Sequence, residues 1–131
     1  MGLDFAATAG EKAKLSPAVS KIELKDGKAE VKGKLAASDP KDVGKTESYC
    51  KIYSINLEAG KSYEITCHSD LDNWLRIEDA KGKQLAEDDD SGGGTDAQIV
   101  FECKTEGEYR VIVTSFEPAD AGDFVLTVSK K

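Results

Sequence analysis

Histidine, tryptophan and methionine each occur once in this sequence, and cysteine three times in 131 residues. Each scarcity removes a class of chemistry. With His68 as the sole imidazole, a Ser-His-Asp site would depend wholly on that residue, and no GxSxG turn accompanies it. Strand parity sets His68 on the solvent side. Cys50, Cys67 and Cys103 allow at most one disulfide, and their spacing fits neither a zinc knuckle nor a CxxC redox pair. Zinc or copper sites therefore lack partners. No apolar run approaches the roughly 20 residues that span a bilayer. The start, Met-Gly-Leu-Asp-Phe, lacks the basic beginning and apolar middle of a signal peptide; the expectation is an extracellular or periplasmic protein whose export signal has been removed. Basic side chains number 18 against 25 acidic, for a net charge of −7, and they are spread rather than clustered. That disfavours nucleic acid and anionic membrane as partners.

What is present is alternation. At 39% hydrophobic and 33% charged, the chain suits one domain burying roughly two thirds of its unfolded surface. Residues 1–14 read as a flexible arm and 15–131 as a single, monomeric domain. Val19, Ile22 and Leu24, the Asp26-Gly27 turn and Ala29, Val31 and Leu35 predict a β-hairpin. Further runs cover Tyr49 to Leu57, Tyr63 to Ser69, Leu75 to Ile77, Gln84 to Ala86, Ile99 to Phe101, Tyr109 to Val113 and Phe124 to Val128. Gly60-Lys61-Ser62 is a hairpin turn rather than a phosphate loop, since the motif's first glycine would fall at Ile55. About nine short strands without a long helix predict an all-β, antiparallel, jelly-roll-like β-sandwich. Its expected core is Tyr53, Ile55, Leu57, Ile65, Leu75, Ile77, Phe101, Val111, Val113, Phe124 and Leu126. Cys67 and Cys103 fall on inward parity, either as buried free thiols or as a bridge. Cys50 takes the opposite parity and is expected to react sooner with a thiol reagent.

The stretch LDNWLRIEDAKGKQLAEDDDSGGGTDAQIVF (71–101) is the centre of this pattern: strand, turn, strand, acidic glycine loop, strand. Adjacent carboxylates at Asp88, Asp89 and Asp90 repel unless water or a cation screens them. EF-hand spacing fails, because the fifth position from Asp88 is Gly92 and the twelfth is Ile99. Two readings stay open: a solvated turn whose Asp side chains cap backbone N–H groups, or calcium held by Asp89, Asp90 and Asp96. A second candidate calcium loop contains Ser38, Asp39 and Asp42. Asp70 and Asp72, at a strand end, fit turn hydrogen bonding better than acid/base work.

Five segments, YSINLEAGKSY (53–63), LDNWLRIEDAKG (71–82), LAEDDD (85–90), GEYRV (107–111) and GDFVLTV (122–128), together resemble the bacterial pre-peptidase C-terminal domain family over Lys32 to Ser129. The resemblance implies a jelly-roll-like sandwich appended to secreted peptidases and other exported proteins. It also implies collagen binding and calcium near the N-terminal edge, as in related clostridial collagenase domains. Here Val43-Gly44 and an extra stretch follow Asp42, where those relatives proceed to an aromatic strand. The expected function is a non-enzymatic accessory or binding module for an extracellular polymer or protein; the alternative is a spacer or secretion-assisting domain without a specific ligand. Trp74, Tyr49 and Phe116 are the aromatic residues that a binding face could use.

Overall fold

The computed structural model describes residues 19–37, 39, 49–69, 73–88, 96–115 and 121–131. Its strands are β1 (Val19–Ile22), β2 (Lys28–Leu35), β3 (Cys50–Leu57), β4 (Ser62–Ser69), β5 (Asn73–Asp79), β6 (Gln84–Asp88), β7 (Ala97–Glu102), β8 (Gly107–Ser115) and β9 (Gly122–Lys130). They form a five-stranded sheet in the order β1-β3-β8-β5-β6 and a four-stranded sheet in the order β2-β9-β4-β7. All pairings are antiparallel except that of β1 with β3, which is parallel.

Alternation decides which side chains meet between the sheets. Tyr53, Ile55 and Leu57 of β3, Val111 and Val113 of β8, and Leu75 and Ile77 of β5 are buried against Leu35, Tyr63, Ile65, Cys67, Ile99, Phe124, Leu126 and Val128 of the opposite sheet. Tyr53 and Phe124 join the two layers edge to face, with ring centroids 6.5 Å apart at 78°. Gly33, paired with Phe124, makes room for that ring: a Cβ there would lie 2.5 Å from the Phe124 Cζ. Tyr63 fixes the exit of β3, since its hydroxyl accepts a hydrogen bond from the Glu58 N–H at 3.0 Å.

Local turn signals and sheet membership part company. Asp26 and Gly27 take the positive φ that their turn requires, 54° and 77°, and Lys25 bridges Lys28. The hairpin expected there does not form, because β1 pairs with β3 while β2 pairs with β9. The turn around Gly60 also joins different sheets, so Gly60-Lys61-Ser62 closes an arch rather than a hairpin; Gly60 N–H donates to the Cys103 carbonyl at 2.8 Å, and Cys103 N–H to that of Lys61 at 2.9 Å. Among the described strands only β5–β6 is a hairpin between consecutive strands of one sheet.

Two further expectations are corrected. Cys50, although on outward parity, is only 3% exposed, because around central strand β8 the outward side is buried too: Ile112, Thr114 and Arg76 are enclosed there. Phe101 is half-buried, because β7 is an edge strand. Cys67 and Cys103 are inward as expected and free. Cys67 faces Ala97 whereas Cys103 follows the Ser62–Glu102 pair, so they stand about 20 Å apart along the strands at ~3.3 Å per residue, beyond the ~7 Å reach of a bridge.

Core truncations should separate these environments. Phe124→Ala is expected to cost about 3–5 kcal/mol, and Gly33→Ala about 1–3 kcal/mol through overpacking against Phe124. The half-buried Phe101→Ala should cost less than Phe124→Ala, about 1–2 kcal/mol. Urea denaturation at equilibrium orders the three, and equal costs for Phe101 and Phe124 would contradict the edge assignment.

Candidate functional site

The β5–β6 hairpin is built by one side chain. Asp79 Oδ1 accepts the N–H groups of Lys81 and Lys83, each at 2.9 Å, while Asp79 N–H donates to the Lys83 carbonyl and Gly82 supplies a φ of 88°. The Lys83 backbone hydrogen bond is the main cause holding the Asp79 carboxyl below its ordinary range, helped by the Lys81 N–H and by the charges of Lys83 and Lys81. Beyond the turn the register slips: Ile77 faces Ala86, but Glu78 faces Gln84. Leu85 is the extra residue of this bulge, and a bulge re-aims the side chain it carries. Leu85 is 39% exposed.

Across the open side of the sandwich, Phe101 of β7 packs edge-on against Tyr109 of β8, with centroids 5.5 Å apart at 62°. Tyr109 is held by donating its hydroxyl proton to the Thr105 carbonyl. The Cys103 Sγ donates to the same carbonyl at 3.2 Å and lies 3.6 Å from the Tyr109 hydroxyl. That contact with Cys103, and then burial, raises the Tyr109 pKa.

Leu85, Phe101 and Tyr109 thus leave an apolar-floored groove of about 590 Å³ between the two sheets, bordered by Asp79, Lys81, Glu102, Lys104, Glu106 and Glu108. Four carboxylates and two ammonium groups make the rim acidic. Among the described residues no histidine or thiol lines it, so what these side chains offer is contact and charge. The sequence reading placed Phe101 in the core and gave Leu85 no role, because a bulge has no signature in alternation.

The described residues among the sequence-predicted polar positions lie at the other end of the sandwich. Leu35 pairs with Gly122, Cys67 with Ala97, and Asn73 with Ser115, so the strand ends that flank both candidate calcium loops share that end. Asp39 Oδ2 accepts the Ala36 N–H at 2.9 Å, and its Oδ1 pairs with Lys51 Nζ at 2.7 Å. Asp96 lies 2.8 Å from His68 Nδ1 on the exposed face of β4 and β7, and Asp88 Oδ2 accepts the Gln98 N–H at 2.9 Å. These described carboxylates have protein partners, and no group of at least three metal-binding side chains occurs among the described residues. Ser38, Asp42, Asp70, Asp72, Asp89, Asp90 and Phe116 lie outside the described residues. Trp74 is on the outward face, opposite Thr114, and its Nε1–H donates to Glu87 Oε1 at 3.2 Å. Tyr49 packs against the core, so the two aromatics do not share a face.

The chain matches no family model and no curated protein. Its fold does match solved structures. The pre-peptidase C-terminal domain of collagenase from Bacillus anthracis superposes with a TM-score of 0.68 at 17% identity, over 87% of this chain and 97% of that one. PliG from Aeromonas hydrophila, a periplasmic inhibitor of g-type lysozyme, gives 0.64 at 13% identity, over 86% and 96%. CorA, a surface-associated copper-binding protein of Methylomicrobium album BG8, gives 0.67 at 10% identity, over 87% and 98%. Identities this low establish the fold alone: the sandwich of the pre-peptidase C-terminal domain, as the five sequence segments implied.

The buried thiols provide a test of this geometry. Burial, and next the Asp96 carboxylate, push the Cys67 thiol from an ordinary 9.0 up to about 12. A thiol that keeps its proton longer in the folded state stabilises the fold fully below 9.0, and that stabilisation is lost as pH rises toward about 12. The melting temperature should therefore fall across that window, and Cys67→Ala should flatten the fall. Native labelling should be slow at all three cysteines, including Cys50, and fast after unfolding. Rapid native labelling of Cys50 or Cys67 would contradict their burial.

Proposed function

We propose that this chain is a non-catalytic binding module of an exported protein, which takes an extracellular polymer or another protein at the groove between β6 and β7. The observation that carries this reading is the groove: Leu85, Phe101 and Tyr109 form an apolar floor of a size suited to a ligand or a short chain segment, while the border offers charge for orientation. Solved proteins of this fold are described as a domain of a collagenase, a periplasmic lysozyme inhibitor and a surface-associated copper-binding protein. Those descriptions support an exported setting and a binding role. Copper is the least suited ligand here, because the described cysteines are buried and His68 is the sole histidine.

Co-sedimentation with insoluble collagen and with peptidoglycan, together with inhibition of a g-type lysozyme, tests the reading on the wild type and on Leu85→Asp. Leu85 is at the groove surface, so the variant should keep the wild-type melting temperature. Binding or inhibition is expected with at least one of these three probes, and Leu85→Asp should weaken it by about tenfold or more. Equal activity of the variant would remove the groove from the function. No response to any probe would favour the spacer reading.

A further inference from the structure

Exposed sheet edges are normally blunted by shortness, lysine, proline or a bulge, and three of the edges here follow that rule. β1 has four residues and carries Lys21; β2 carries Lys28, Lys32 and Lys34; β6 has its bulge at Leu85. The fourth edge, β7, reads AQIVFE. It contains no lysine, arginine or proline, and Val100 is 62% exposed. Among the described strands none pairs with its outer backbone edge. Cys103 N–H points toward β4, to the Lys61 carbonyl, whereas Gln98 N–H points away from it, to the Asp88 carboxylate. Because peptide groups alternate along a strand, the N–H and C=O groups of Val100 and Glu102 face the open edge with that of Gln98.

We infer that the free edge of β7 binds an extended, basic segment of a partner protein by strand addition. The segment pairs with the backbone of Val100 and Glu102 and sends alternate apolar side chains toward Phe101 and Leu85. This deepens the groove reading and rests on it, since the added strand's inward side chains occupy the groove. The apolar floor selects the inward positions, and backbone pairing supplies the affinity, as in other strand-addition complexes. Charge selects the remainder: the border holds four carboxylates against two lysines, and the chain's net charge is −7. The same excess opposes a second copy of the chain as the occupant.

The probe is a synthetic peptide, acetyl-KVKVKVKV-amide, titrated into the isotope-labelled full chain and followed by NMR and amide exchange. Shifts should concentrate at Val100, Glu102, Leu85 and Tyr109, and exchange at the Val100 and Glu102 amides should slow by about tenfold or more. Val100→Pro removes only an outward-facing N–H, a substitution that edge strands tolerate, and should cost about tenfold or more in affinity. Val100→Thr keeps the N–H and should bind within about threefold of wild type. The melting temperature and spectral dispersion of both variants establish that they fold. If the peptide shifts the groove residues without protecting either amide, and Val100→Pro binds equally, the strand pairing is wrong while the groove reading survives. Leu85→Asp distinguishes the two, since it alters the groove and leaves the edge backbone intact. Absence of any shift overturns the proposal. Equal binding of acetyl-EVEVEVEV-amide overturns the basic occupant, and a dimer by analytical ultracentrifugation that Val100→Pro dissociates overturns it in favour of a second copy.

Discussion

Every strand of this domain must turn one parity toward the opposite sheet, and the burial of those inward side chains is the constraint on which the remaining structure depends. Tyr53, Ile55, Val111, Val113, Leu75 and Ile77 in one layer have no apolar environment except the one that Tyr63, Ile65, Phe124, Leu126 and Val128 provide in the other. Burial of this kind is the main favourable term in folding. Because every described pairing except the β5–β6 hairpin joins strands that are not consecutive in sequence, the two sheets must form largely together. Folding must close many long-range contacts at once, the condition associated with slow β-topologies.

The same topology explains where a binding surface can exist. β8 and β9 are central in their sheets, and β8 is buried on both faces along Val111–Ser115. The edges are different. β6 and β7 face each other across the open side of the sandwich, and no further strand covers them among the described elements. The Leu85 bulge and the Phe101–Tyr109 contact are consequences of that opening. An inward-parity aromatic at an edge cannot be fully enclosed, so it becomes part of a groove.

Polar groups follow the complementary rule. Four described aspartates near strand ends are spent on backbone or side-chain donors: Asp79 on its own turn, Asp39 on Ala36 and Lys51, Asp88 on Gln98 and Asp96 on His68. A carboxylate that accepts backbone N–H bonds closes the connection it sits in. Asp88 and Asp39 do so at the end of the sandwich opposite the groove.

The sequence by itself determined the strands and their buried faces. The alternation of Tyr53, Ile55 and Leu57, or of Phe124, Leu126 and Val128, is a local property with a period of two residues, and it requires one wet and one dry side whatever the strand's neighbours are. The five quoted segments implied the sandwich separately, through their resemblance to the pre-peptidase C-terminal domain family. Only the tertiary structure decided which sheet each strand joined. The Asp26-Gly27 and Gly60 turns are locally suited to hairpins, yet β1 and β2, and β3 and β4, separate into different layers and pair with strands distant in sequence. It also decided that Cys50 is enclosed and Phe101 half-exposed. Parity says which way a side chain points, whereas burial depends on whether a strand is central or at an edge, and that is settled by pairings far away in sequence.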